Sequence, residues 1–219
     1  MQYVVVLSGG MDSATLLYDL HAQDARVRAL SVNYGQRHVR ELAAAAQPTT
    51  RLGVEHRIAD LSALRPLLAG SSQTDDRVAV PEGHYAEASM RVTIVPNRNM
   101  ILLAVAAAWA ISMRSDAVAY AAHAGDHAVY PDCREEFVAA LGEALRLADW
   151  HQVAILRPYV ALTKADIVRR GTDLRVPYEL TWSCYQGGRY HCGRCGTCVE
   201  RREAFTLAGV PDPVPYEET

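Results

Sequence analysis

The sequence predicts an α/β protein built on an open, mostly parallel five-stranded sheet with helices on both faces, followed by a small cysteine-bearing C-terminal segment. Three observations lead there. Short apolar runs of β-branched character alternate with segments of helical spacing along most of the chain. The first apolar run ends abruptly at Ser8-Gly9-Gly10, as a buried parallel strand feeding a helix does. Four of the five cysteines fall between Cys184 and Cys198, beyond the alternating pattern.

The elements follow in order. Tyr3–Leu7 reads as the first strand, and Asp12–Leu20 as a helix with Leu16, Leu17 and Leu20 on one side. Val27–Val32 is a second strand, Gln36–Leu52 a helix ending near Gly53, and Glu55–Ala59 a third strand. The span 61–93 is long and irregular, which in a compact domain marks a functional or mobile segment. Asn97–Met113 is alanine-rich, free of glycine and helical. Ala117–Ala122 is a fourth strand, Glu135–Leu147 a helix and Val153–Leu156 a fifth strand. Thr163–Arg170 is a short helix closed by Gly171. The tail from Pro211 is rich in proline and acid and reads as extended. Residues 1–180 form the expected α/β domain, and 181–219 the segment packed on it.

Composition bounds the function. With 50% hydrophobic residues the chain can bury a proper core, and a formal net charge of −3 argues against broad electrostatic binding to nucleic acid. The apolar stretch Met100–Ile111 is too short to span a bilayer, and no charged-then-apolar leader precedes the first strand. A soluble cytoplasmic protein with no direct nucleic-acid or membrane partner is expected. Of 22 basic residues only Lys164 is a lysine, so that position either kept a lysine by chance or needs a compact ammonium that a planar guanidinium cannot replace.

Ligands in such folds bind beyond the carboxyl ends of the strands, which directs attention to the loop Ser8-Gly9-Gly10-Met11-Asp12-Ser13. Its glycines allow a tight turn and close approach to an anion, and the next helix offers free amides and a positive dipole end. Ser8 and Ser13 add hydroxyls. Asp12 brings like charge to a phosphate site, which makes sense if Mg²⁺ sits between it and the phosphates. No lysine follows the glycines, so this is not a Gly-Lys-Ser/Thr P-loop. An ordinary strand-to-helix turn is the bland alternative.

Cys184, Cys192, Cys195 and Cys198 supply four thiolates, with glycines between them for sharp turns. Structural Zn²⁺ prefers such a set; an iron–sulfur cluster and disulfides are the alternatives. Four thiolates leave no open coordination position, so the metal is expected to pin the segment rather than react. His191 is a flanking bystander on this reading, and Cys133 a small buried residue rather than a nucleophile.

The glycine loop resembles the pyrophosphate-binding loop of the N-type ATP pyrophosphatases, which cleave ATP between its α and β phosphates and transfer AMP to an oxygen. Asn33-Tyr34-Gly35-Gln36-Arg37-His38, Thr93-Ile94-Val95-Pro96-Asn97-Arg98-Asn99 and Tyr130-Pro131-Asp132-Cys133-Arg134-Glu135-Glu136-Phe137 add to it. With the four cysteines they are similar in order and spacing to 7-cyano-7-deazaguanine synthases, from Val4 to about Arg202. The resemblance implies an adenine nucleotide alpha hydrolase-like, Rossmann-like fold and a ligase that forms a carbon–nitrogen bond. It would convert 7-carboxy-7-deazaguanine, ammonia and ATP to the 7-nitrile by way of an amide, in queuosine biosynthesis, as a homodimer.

It also implies residue roles. Leu7, Ser8, Gly9, Gly10, Met11, Asp12, Ser13, Ala14, Thr15, Leu16 and Leu17 would cradle ATP. Lys164, Asp12, Ser13 and Arg98 would carry the chemistry, Lys164 against the phosphates and Arg98 against the pyrophosphate or the substrate carboxylate. Tyr34, Gln36, Arg37, Asp126, Asp132 and Arg134 are the substrate candidates, with Tyr130 and Tyr185 for stacking and His38, His123 and His127 for proton transfer. The run His123-Ala124-Gly125-Asp126-His127 departs from the Cys-Glu-Thr-Asp of many members, which loosens the carry-over there. The chain has no room for a glutaminase domain, so ammonia is expected free or from a partner. A tRNA-thiolating enzyme, a homologue acting on another deazapurine and a non-enzymatic zinc-ribbon module are the rivals.

Overall fold

Residues 1–84 and 87–217 are described by a computed structural model. Two residues of the irregular 61–93 span and the last two of the 181–219 segment lie outside the described residues. Five strands, β1 (Gln2–Val6), β2 (Arg26–Asn33), β3 (Glu55–Asp60), β4 (Ala117–Ala119) and β5 (Ala154–Leu156), form one sheet in the order β3-β2-β1-β4-β5. Every pairing is parallel. The helices are α1 (Met11–Ala22), α2 (Arg40–Leu52), α3 (Glu87–Met90), α4 (Arg98–Ser112), α5 (Asp126–Val129), α6 (Glu135–Ala148), α7 (Lys164–Asp173) and α8 (Gly196–Ala208).

The pleat explains why the strands read as continuous apolar runs. Val4 on one face of β1 joins Leu30, Leu103, Ala106, Val118 and Leu141, a core shared with α4 and α6. Its neighbour Val5 joins Leu16, Leu17, Ala29, Ala45, Ala119 and Ile167, a core shared with α1, α2 and α7. Both faces are therefore covered, as a parallel sheet requires. Strand order reverses between β1 and β4, so the crevice for a ligand opens above the carboxyl ends of these two strands. No helix of the described residues is long and apolar enough to cross a membrane.

Three expectations need correction. The helix after the second strand starts at Arg40, not Gln36, because Gln36 folds back: its amide donates to Val32 O (3.2 Å) and its carbonyl accepts from Tyr34 N (2.9 Å). The fourth strand is only three residues long, Ala117–Ala119, although Tyr120 N–H still donates to Leu156 O of β5 at 3.0 Å. Gly171 does not close α7, which runs on to Asp173. The glycine is there for contact instead: a Cβ at this position would lie 1.9 Å from Tyr178 Oη.

The C-terminal helix α8 escaped the sequence reading. It packs on α7 and α1 through Met11, Val168, Tyr178, Ala204 and Phe205. Within the irregular span, Ser62–Leu68 forms a 3₁₀ turn, and Glu82 bridges to Cys195 of the C-terminal segment.

Replacing Gly171 by Ala should lower stability by about 1–3 kcal/mol through overpacking against Tyr178, which is held by Thr15 Oγ1 at 2.9 Å. Urea unfolding of the variant beside wild type checks this; an unchanged midpoint would show that Tyr178 yields freely.

Candidate active site and metal centre

The β1–α1 loop closes on itself through its two serines. Ser8 N–H donates to Ser13 Oγ at 3.2 Å, the two hydroxyls lie 3.0 Å apart, and Gly10 N–H donates to Ser8 Oγ at 3.3 Å. Gly9 has a φ of +86°, and a Cβ on it would meet Glu41 O of α2 at 2.1 Å. Glycine at this position serves a left-handed turn and close packing on α2. From the other side Trp182 N–H donates to Gly9 O at 2.9 Å, so the C-terminal segment grips the same turn.

Lys164, the first residue of α7, reaches into the cleft beside this loop. Its Nζ donates to Glu200 Oε2 at 2.6 Å and lies 3.4 Å from Asp12 Oδ2. Burial opposes the ammonium, but the carboxylates of Asp12, Glu200 and Asp126 outweigh it and raise the lysine pKa. The other Asp12 oxygen, Oδ1, is enclosed and has no hydrogen-bond partner. A carboxylate oxygen with no partner of its own suits a hard cation such as Mg²⁺.

The buried imidazole of His123 accepts Gly125 N–H at Nδ1 (3.1 Å), and its Nε2 stands 3.5 Å from Asp126 Oδ1 and 4.0 Å from Glu200 Oε1. Across the cleft α4 begins at Arg98, after Asn97 in the left-handed region at φ +56°, which asparagine tolerates. The Arg98 guanidinium lies 5.6 Å from the Tyr130 ring centre, with Tyr34 and Tyr185 also against it.

The structure brings Ser8, Gly10, Met11, Asp12, Ser13, Lys164, Arg98, Tyr34 and Asp126 into one cleft. Other candidates lie elsewhere. Ala14, Thr15, Leu16 and Leu17 are buried in α1: Leu16 and Leu17 pack on the sheet, Ala14 packs toward α8, and Thr15 Oγ1 caps Met11 O. Arg37 ties down the long span by donating to the carbonyls of Asp75 (3.0 Å) and Val78 (3.1 Å). Asp132 Oδ2 accepts Asn99 N–H (3.1 Å) and so caps α4 instead of lining the cleft. Arg134 is exposed and donates to His127 O. Gln36 is buried and reaches the cleft only through Glu41, whose Oε1 accepts its amide at 2.9 Å.

Two cleft carboxylates were not found from the sequence. Glu41 lies on α2 and pairs with His38 Nε2 at 3.2 Å; Glu200 lies on the overlooked α8. An unnoticed signal was the spacing of Glu200, two residues after Cys198 on a segment the cysteines anchor.

Sγ atoms of Cys184, Cys192, Cys195 and Cys198 all lie within 4.8 Å of one another, and all four residues are buried. A tetrahedral ion with bonds of about 2.3 Å needs sulfurs about 3.8 Å apart, and the Cys192–Cys198 pair stands at 3.9 Å. The donor set therefore fits a four-sulfur metal centre. His191 Nε2 instead accepts Ser183 N–H at 3.1 Å, and burial pushes its pKa down to about 4. Cys133 stands apart; burial first, then Asp126 and Asp132, push its thiol up to about 12, as suits an inert residue.

Arg201 of α8 has no exposed surface and is the strut between this centre and the cleft. It meets Asp212 Oδ2 at 3.0 Å and donates to Thr181 Oγ1 (2.8 Å) and Tyr178 O (3.1 Å).

The family model of queuosine biosynthesis protein QueC matches residues 2–209. A 7-cyano-7-deazaguanine synthase of Caldicellulosiruptor bescii is 52% identical over 99% of this chain and 98% of its own length. Another, of Hahella chejuensis, is 52% identical over 98% of this chain and 92% of its own. Among solved structures, an NMN synthetase from Francisella tularensis shares the fold with a TM-score of 0.54 and 17% identity, covering 95% of this chain and 77% of that one.

Replacing Asp212 by Ala should cost about 3–5 kcal/mol, since Arg201 would keep a buried charge with no counter-ion. Thermal melting checks it; a loss below about 1 kcal/mol would mean that water reaches the guanidinium.

Proposed function

The chain belongs to the queuosine biosynthesis protein QueC family, and we propose from that premise how its cleft turns 7-carboxy-7-deazaguanine, ammonia and ATP into 7-cyano-7-deazaguanine. It is a ligase-type enzyme that forms the nitrile, as its relatives' name states. One observation carries the site reading: the ammonium of Lys164 stands 3.4 Å from Asp12 Oδ2 while Asp12 Oδ1 stays unpartnered, beside the Ser8–Ser13 loop at the N-terminus of α1.

A carboxylate is a poor electrophile, because its oxygen leaves badly. The first-turn amides of α1 and the hydroxyls of Ser8 and Ser13 hold the ATP phosphates there. Asp12 would hold Mg²⁺, which when bound would neutralise phosphate charge. Lys164 turns from its carboxylates to the phosphates and stabilises the charge that develops as pyrophosphate leaves. The substrate carboxylate oxygen attacks the α-phosphorus, forming an adenylate. Ammonia then attacks the activated carbon, AMP departs, and an amide remains. The same loop activates the amide oxygen with a second ATP; loss of AMP together with the N–H protons leaves the nitrile. Arg98 supplies positive charge on the far side of the cleft, between Tyr34, Tyr130 and Tyr185. Tyr34 and Asp126 are the remaining substrate-facing candidates.

Structural Zn²⁺ held by Cys184, Cys192, Cys195 and Cys198 completes the assignment, with residues 181–219 as a metal-pinned unit on an ATP-binding part of residues 1–180. A homodimer working in the cytoplasm, with no direct contact to nucleic acid, fits the small-molecule substrates. All five cysteines are buried, which disfavours a thiolating enzyme needing an accessible cysteine pair.

Incubation with ATP, ammonium and the acid should yield AMP and the nitrile by mass spectrometry. Lys164→Ala should abolish both products and lower the melting temperature, because Asp12 and Glu200 lose their shared counter-ion, while the protein stays folded at the assay temperature with metal content near wild type. Undiminished turnover in that variant would remove Lys164 from the chemistry, and a wild-type protein that forms no nitrile would contradict the reaction.

A further inference from the structure

The charges of the cleft are divided between its two ends. Lys164 is already held by Asp12 and Glu200. Among the described residues no carboxylate stands within ion-pair distance of Arg98. Asp132, the acid that acts on it electrostatically, is engaged by the Asn99 N–H. The groups that act most on Arg98 are Tyr34, Tyr185, Tyr130 and Asp132; those that act on Lys164 are Asp12, Glu200 and Asp126.

What surrounds Arg98 suits a flat heterocycle more than a phosphate. Three tyrosines present rings and few charges, and the guanidinium lies over the face of Tyr130. Tyr185 continues the wall to His38, with ring centres 5.2 Å apart. Besides Asp12 Oδ1, two buried polar atoms on cleft residues have no partner, Tyr120 Oη and His38 Nδ1. They are free to meet the polar edges of a fused aminopyrimidinone. A guanidinium fork pairs with a planar carboxylate through two parallel hydrogen bonds.

We propose that Arg98 is the anchor for the carboxylate of the heterocyclic acid, in the tyrosine-walled part of the cleft from which that carboxylate faces the phosphate loop, and so acts on the first activation more than on the second. The proposal rests on the nitrile-forming reaction described above. Its logic is charge: the acid presents an anion to Arg98, whereas the amide intermediate presents a neutral group, for which a charged partner matters less. A role on pyrophosphate would make no such distinction, because both activations release pyrophosphate.

The test supplies ATP and ammonium with the acid, and separately ATP with the synthetic amide, and compares wild type with Arg98→Gln and Arg98→Lys. For Arg98→Gln, kcat/KM for the acid should fall by roughly ten- to hundredfold, the loss of a charge-assisted pair. For the amide it should fall less than about threefold, with the KM for ATP unchanged. Arg98→Lys keeps the charge without the fork, so its loss on the acid should be smaller yet still exceed its loss on the amide. It decides the matter if Arg98→Gln fails to fold. Equal losses on both substrates, or a raised KM for ATP, overturn the assignment while leaving the reaction standing. A wild-type protein that turns over neither substrate overturns the reaction and the assignment together.

Discussion

An ammonium group buried between two carboxylates holds this molecule's working parts in register. Lys164 starts α7, Asp12 lies in the first turn of α1, and Glu200 is carried by α8. Burying any one of these charges alone would be strongly unfavourable, so each requires the others in place. Three elements far apart in sequence are thereby tied at one point, above the carboxyl edge of the sheet. The rest of the fold supports that meeting. The two-faced core fixes α1 and α7, and the four cysteines with the Arg201–Asp212 pair fix the start of α8.

The same arrangement gives the cleft its polarity. At one end a lysine is poised between acids beside the N-terminus of α1. At the other an arginine stands among tyrosine rings. A reaction that joins a triphosphate to a flat carboxylic acid needs both kinds of environment within one cleft, and the reversal of strand order between β1 and β4 creates the space for it. The cysteine segment has a mechanical part in this, since Trp182 binds the Gly9 carbonyl and Glu200 follows Cys198 by two residues.

Much of this was legible in the sequence because it is local. Continuous apolar runs announced a sheet covered on both faces, Ser8–Ser13 announced the strand-to-helix turn, and the cysteine spacing announced a common centre. The lone lysine stood out against a background of arginine and does reach the loop. What stayed hidden depends on tertiary contact. Glu41 and Glu200 are ordinary helix glutamates until folding turns them into the cleft. Gly171 looked like a helix stop because a contact with Tyr178 leaves no periodic trace. Arg37, Asp132 and Arg134 looked like substrate residues because they lie in motif segments, but a motif's residues can hold the backbone that presents their neighbours.

The central claim is that one loop activates two different oxygens in succession. The ratio of AMP released to nitrile formed, starting from the acid with ammonium in excess, tests it most directly. Twice as much AMP as nitrile should form, and equal amounts when the amide is supplied instead. Equal amounts of AMP and nitrile from the acid, or release of ADP in place of AMP, would contradict it.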